Sequence, residues 1–267
     1  MKRFIPFVAK DPSVAVISLS GIIAASARGG TLSDGALAPA IERAFGRGKP
    51  AAVALVLNSP GGSPAQSSLI AARIRRLAEE KKIPVHAFVE DVAASGGYWL
   101  ACAADDIWVD PNSIVGSIGV ISAGFGFTDA IARIGVERRL HTAGRDKSLL
   151  DPFLPENPAD VARLRALQDQ IHASFIAHVK ARRGDRLSTS EDLFSGQFWA
   201  GQRAVDLGLA DGLAHVVPKL KALYGDKVRL RRYGPKRGLF QRFGASLTAE
   251  LTAGIEDRAL WSRYGLT

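Results

Sequence analysis

Short apolar runs alternate with helix-spaced segments from Val14 to Val109, and that alternation limits the fold more than any other feature of the chain. Val14–Leu19 reads as a buried strand. Ala36–Phe45 places Leu37, Ile41 and Ala44/Phe45 on one helical side, and Ala52–Leu57 returns as a β-rich run ending at Asn58. The turn Ser59-Pro60-Gly61-Gly62 leads to an amphipathic helix over Ser67–Lys81, closed before Pro84. Pro84–Val89 is again a strand, Glu90–Ser95 leads into a helix through Ala104, and Ile107–Val109 is short and strand-like. Strands separated by helices predict βαβ crossovers and a mainly parallel sheet, an α/β fold. Sites in such sheets lie beyond the carboxyl ends of the strands. NSPGG at 58–62 and ASGG at 94–97 both fall there.

Further along, Asp129–Ile134 is expected helical and Glu137–His141 extended, while 144–157, with Pro152 and Pro155, is a loop or lid candidate. Asp160–Arg182 is the longest helical run, with Val161, Leu164, Leu167, Ile171, Phe175 and Val179 as its apolar stripe. A polar break at Gly184–Ser190 precedes a tail unit: Gly201–Leu207 helical, Gly208–Gly212 a turn or short strand, Leu213–Leu223 helical. The expected organisation is one catalytic-size domain over 1–223 and a basic extension over 224–267.

With 267 residues, 47% of them apolar, the chain can bury a substantial core, which argues against disorder. Cys102 is the single cysteine, so an internal disulfide is impossible and a cysteine-based metal site is not expected. The formal charge of +9 is partly local: seven basic and no acidic residues lie between Lys227 and Arg242. Such a run suits anionic lipid, an acidic partner surface or plain solvent equally well. Its interleaved aromatics are few, Tyr233 and Phe240, so no nucleic-acid role is expected. MKRFIPFVAKD and the run Val14–Ala27 both fall short of the roughly twenty apolar residues of a bilayer span. A cytoplasmic chain is expected, with peripheral membrane contact through the basic tail as one option. The ASA at 25–27 leaves an exported form open.

Ser95 stands between a strand and an apolar helix, with small neighbours that admit a substrate backbone and a tight turn. Backbone N–H groups at a helix start suit an oxyanion, although a simple N-cap serine has the same pattern. Gly61-Gly62 can present an unobstructed N–H, Gly62 being the better donor; a strand-to-helix turn needing positive φ is the plain alternative. A serine nucleophile needs a base. His86 lies within a strand, and His172 and His178 are six apart on a helix, a poor zinc pair. His141 is the rival base to Lys147. A lysine amine serves as base only where burial and dipoles lower it from about 10.4 toward neutrality.

ASGGYWLACAADDIWVDPNSIVGSIGV (Ala94–Val120), NSPGG (58–62), GRDKSLLDPF (144–153) and EDLFSGQFWAGQRAVDLGLADG (191–212) together resemble the signal peptide peptidase A (SppA) family over about Val14 to His215. The resemblance implies a Clp/crotonase-like fold and a Ser-Lys serine protease. Ser95 would be the nucleophile, Lys147 the general base, and Ser117 the residue that orients the lysine. Gly62 and Gly96 would furnish the oxyanion donors, and Gly61 and Ser63 the loop beside which an extended peptide lies. No cofactor or metal is implied. Expected substrates are signal-peptide remnants or other unstructured peptides, and the family's rings and domes imply a homo-oligomer. Many bacterial relatives carry an N-terminal membrane anchor that this sequence does not show. Competing expectations are a thioester-binding hydratase/isomerase relative, a Clp-like Ser-His-Asp site, and a catalytically silent peptide-binding scaffold of the same fold.

Overall fold

A computed structural model describes residues 11–25, 31–144, 146–234 and 260–265. The first ten residues, most of the ASA at 25–27 and the basic run beyond 234 lie outside the described residues. Strands β1 (Ser13–Ser20), β2 (Ala52–Ser59) and β3 (Val85–Ala94) are linked by helices α1 (Asp34–Gly46) and α2 (Pro64–Lys81). β1 pairs with β2 and β2 with β3, both parallel, so two consecutive βαβ units build the centre of the sheet. Their strands are nearly continuous apolar runs because helices cover one face and further chain the other. Leu55 and Leu57 of β2, Ile41 of α1 and Ile70 and Ile74 of α2 are fully buried in the larger core cluster. Ser33 and Ser63 cap α1 and α2, accepting from the N–H groups of Ala36 and Gln66.

β3 departs from the sequence expectation. Glu90–Ala94 continues as strand instead of turning helical, because β3 changes partners midway. His86–Val89 pairs with β4 (Asp106–Val109), and Val92–Ala94 pairs with β5 (Ile114–Gly116). The change coincides with a register shift against β2 between Leu57 and Ser59, at the exposed Glu90-Asp91. Helix α3 is therefore confined to Gly96–Ala101. β5 pairs antiparallel with β6 (Phe198–Ala200), which leads into α6 (Gly201–Asp206). β7 (Gly212–Leu213) extends β4 and precedes α7 (Val216–Tyr224). The mainly parallel α/β sheet is the expected fold class.

The chain beyond 224, read from sequence as a basic extension, adds β8 (Arg229–Tyr233) parallel to β1 at the sheet edge. Its arginines fit there because an edge strand keeps charged side chains in solvent, which also blocks further strand pairing. Glu137–His141, expected extended, forms no strand, and no strand among the described residues pairs with it.

Helices α4 (Thr128–Arg133) and α5 (Pro158–Arg183) follow β5. Only the C-terminal half of α5 reaches the core, through Phe175, Val179 and Arg183. Among the described residues from 119 to 174 none is buried: along the apolar stripe Val161 and Leu164 are half-buried, and Leu167 and Ile171 are exposed. Ile121, Phe125 and Ile134 are 64%, 81% and 74% exposed on the same projecting arm.

The foot of α5 is fixed by a buried ion pair. Arg183 donates to Asp211 at 2.7 Å and to the Gly208 carbonyl at 2.7 and 2.9 Å, while Asp211 also accepts from the Ile107 N–H at 2.7 Å. Burial pushes the Asp211 carboxyl up, but the hydrogen bond and charge of Arg183 outweigh it and hold the group below its ordinary value. A lowered folded-state value adds stability above the unfolded pKa, about 3.9, and that stability is lost as pH falls through the folded value. Asp211→Asn should therefore cost about 3–5 kcal/mol at neutral pH by leaving Arg183 unpaired. The gap from wild type, measured by denaturant unfolding at several pH values, should narrow below about pH 3.9.

Candidate active site

The site forms where β3 ends. Ser95 takes φ 51° and ψ −122°, outside the ordinary basins for a residue with a side chain. Three backbone bonds hold it there. The Ser95 N–H donates to the Gly116 carbonyl at 2.9 Å, and the Ser95 carbonyl accepts from Tyr98 and Trp99 at 2.9 and 3.0 Å. The first bond ties the elbow to β5, and the other two start α3. The serine side chain is half-buried and makes no capping hydrogen bond, so the simple N-cap reading does not describe it.

The Gly61-Gly62 turn presses directly on this elbow. Gly61 has φ 104°, and a Cβ there would lie 2.9 Å from Ser95 Cβ and 2.8 Å from the Ala94 carbonyl. Gly62 has φ 138°, and its Cβ would collide with the Ile23 carbonyl. Both positions need glycine for conformation and for space. Ser59 Oγ accepts the Gly61 N–H at 3.2 Å, and the Ser63 N–H donates to Ile23 at 2.7 Å. No hydrogen bond from the Gly62 or Gly96 N–H is found among the described residues. The Gly62 nitrogen lies 3.4 Å from where a Gly96 Cβ would stand, so the two free donors are neighbours beside Ser95. That pairing can hold an oxyanion.

A pocket of about 20 Å³ opens here, lined in part by Ser95, Gly96, Trp99, Val120, Ile171 and Phe175. It has room for roughly one water or a methyl-sized group. Its apolar wall comes from α5: Trp99 stacks on Phe175 and on His178, each at 4.9 Å. His178 Nε2 donates to the Trp99 carbonyl at 3.1 Å and His172 Nε2 to the Ile118 carbonyl at 3.0 Å, so both histidines fasten α5 to the site. Burial pushes His178 below its ordinary value. A second, open groove of about 580 Å³ along the start of α5 contains none of the candidate catalytic residues.

Ser117 stands one residue past the Gly116 that anchors Ser95, at φ 53°, with its N–H bonded to Gln197 at 2.7 Å. Gly61, Gly62, Ser63, Ser95, Gly96 and Ser117 thus surround one elbow. Lys147 does not join them. It is exposed on the projecting arm and is not among the residues lining the Ser95 pocket. His141, the rival base, is exposed on the same arm. His86 is committed elsewhere, bonded to Asp106 at 2.8 Å and to the Tyr224 hydroxyl at 2.7 Å. Cys102 is buried and free, and burial pushes its thiol up to about 12, which leaves it unreactive. No cluster suited to holding a metal ion is found among the described residues. The pocket wall from Trp99 and Phe175 was missed in the sequence because both residues also fit core-facing helical positions.

The model of peptidase family S49 matches residues 77–224, more than half of the chain, and the chain belongs to that family. Peptidase chemistry is the function this membership supports. The chain is 28% identical to a putative protease of Synechocystis sp., with 95% of this chain and 92% of the relative covered. It is 31% identical to a probable protease SohB of Buchnera aphidicola, over 79% of this chain and 62% of the relative. It is also 48% identical to a Brucella melitensis protein named Na(+)/H(+) antiporter NhaA, with all of this chain but only 39% of that protein covered. Among solved structures, a membrane-bound stomatin-specific protease in complex with a substrate peptide aligns over 93% of this chain at 16% identity and a TM-score of 0.48. None of the described helices is long and apolar enough to cross a membrane.

The geometry makes one substitution especially informative. A Cβ on Gly96 would collide with Ser67 Oγ and lie 3.2 Å from Ile23 Cδ1, in the space beside the free Gly62 N–H. Gly96→Ala should lower kcat by about 100-fold or more, through displacement of one oxyanion donor. Peptide-cleavage kinetics, with circular dichroism to confirm the fold, would check it.

Proposed function

We propose that the chain is a serine endopeptidase in which Ser95 is the nucleophile and Lys147 the general base. The observation that carries this reading is the strained Ser95 elbow, flanked by the Gly62 and Gly96 N–H groups, which have no acceptor among the described residues. In the proposed reaction the neutral Lys147 amine takes the Ser95 hydroxyl proton as Oγ attacks the peptide carbonyl. The two N–H donors hold the oxyanion. The C–N bond then breaks, the lysine ammonium returns its proton to the leaving amine, and an acyl-enzyme ester remains. Water, deprotonated by the same amine, hydrolyses the ester and restores Ser95.

The small pocket favours a small side chain next to the scissile bond. Signal-peptide remnants and other unstructured peptides are the proposed substrates, lying extended beside Gly61 and Ser63. The proposed location is cytoplasmic, with peripheral contact at a membrane surface.

Lys147 is exposed in a single chain, so the proposed base needs an assembly that buries it beside a Ser95. The exposed Leu167 and Ile171, with Ile121, Phe125 and Ile134, favour a second copy of this chain as the cover. The exposed position of Lys147 in a single chain favours one alternative, a silent peptide-binding scaffold of the same fold.

Mass-spectrometric cleavage mapping of an unstructured signal-like peptide separates these readings. Wild type should cut after small residues, while Ser95→Ala and Lys147→Ala bind but do not cut and keep the wild-type assembly mass. Leu167→Asp should lower assembly mass and cleavage together. Cleavage that persists in both Ser95→Ala and Lys147→Ala would overturn the mechanism, and full activity in a monomer would overturn the assembly requirement.

A further inference from the structure

Ala93 of β3 faces the main core, so its neighbours Val92 and Ala94 face the other side of the sheet. Both are fully buried there, although no long helix among the described residues covers them. Their cover is the far C-terminal end of the chain: Tyr264 packs on Val92 and Ala94, with Trp261 and Ile114 completing the cluster. Tyr264 is only 9% exposed, and its ring meets Phe198 edge-on at 5.3 Å and 72°. The Tyr264 hydroxyl lies 3.3 Å from Ser117 Oγ. Ser117 follows Gly116, whose carbonyl holds the Ser95 N–H at 2.9 Å. One short path therefore links the chain's last aromatic residue to the candidate nucleophile.

We infer that Tyr264 is a positioning residue for the peptidase reaction, its ring seated under the β3–β5 seam and its hydroxyl orienting the Ser117 side chain. The inference rests on the proposed function together with the role that the family resemblance implies for Ser117, orienting Lys147. A serine hydroxyl has one proton and two lone pairs. Accepting from Tyr264 occupies one lone pair and fixes the rotor, so the other lone pair is held ready for a lysine N–H. At 3.3 Å the bond is long for O–H···O, and its value lies in restricting a rotor more than in its strength. The ring supplies the restriction, because a side chain packed against Val92, Ala94 and Phe198 cannot carry its hydroxyl elsewhere. The C-terminal end thereby becomes part of the catalytic unit.

Tyr264→Phe removes the hydroxyl and leaves the ring packing in place. The test compares kcat, KM and melting temperature for wild type, Tyr264→Phe, Ser117→Ala and the double variant of the full chain, on one peptide, with Ser95→Ala alongside. The expected result is a fall in kcat of about three- to tenfold in Tyr264→Phe, with KM and melting temperature unchanged. The same substitution should add nothing in the Ser117→Ala background, because its effect passes through Ser117. An unchanged or raised kcat, or a full additive loss in the double variant, overturns the inference. If Ser95→Ala abolishes cleavage while Tyr264→Phe matches wild type, this inference alone fails. Cleavage that survives Ser95→Ala overturns the peptidase reading and the inference with it.

Discussion

The contact between the Gly61-Gly62 turn and the Ser95 elbow is the constraint on which the rest of the site depends. A serine at φ 51° is unfavourable unless its surroundings fix it, and here β5 holds its N–H while α3 holds its carbonyl. Gly61 stands so close that any side chain on it would strike Ser95. Two loops from successive parallel strands thus meet backbone to backbone, and each leaves one N–H without an acceptor among the described residues. The sheet order brings this about: β2 and β3 are adjacent and parallel, so their carboxyl ends lie side by side.

The packed body and the projecting arm differ in kind. Around β1–β3 nearly every apolar side chain is buried, and the ion pair of Arg183 with Asp211 ties the foot of α5 to β4. From 119 to 174 the described chain buries nothing, yet it carries large apolar residues and Lys147. In the proposed mechanism the nucleophile lies on the packed body and the base on the arm, which would leave the site incomplete in a single chain. Completion by assembly would couple the chemistry to the oligomeric state, and desolvation of the arm would be what readies the lysine.

Legibility of the sequence followed the range of the forces involved. β1, β2, the start of β3 and helices α1, α2 and α5 were readable because each carries its own apolar period. NSPGG and ASGG were readable as strand-end turns, since glycine pairs mark places where a Cβ cannot fit. The short β5 and β6 were not readable; each of their three residues is fixed by pairing across a long loop. The extension of β3 to Ala94 was hidden in the same way, because it is pairing with β5 and with Ser59 of β2 that makes Val92–Ala94 a strand. β8 was obscured by its arginines, and Tyr264 by its distance from everything it touches. The resemblance supplied the role of Lys147, for which the local sequence has no distinctive pattern.

The central claim, that Ser95 is an activated nucleophile, is tested most directly by covalent labelling. Assembled wild-type protein would be treated with a fluorophosphonate, and the modified residue located by peptide mass spectrometry. The account predicts one adduct per chain, on Ser95, with labelling slowed markedly by Lys147→Ala. Labelling that spares Ser95, or that proceeds at the same rate without Lys147, would contradict it.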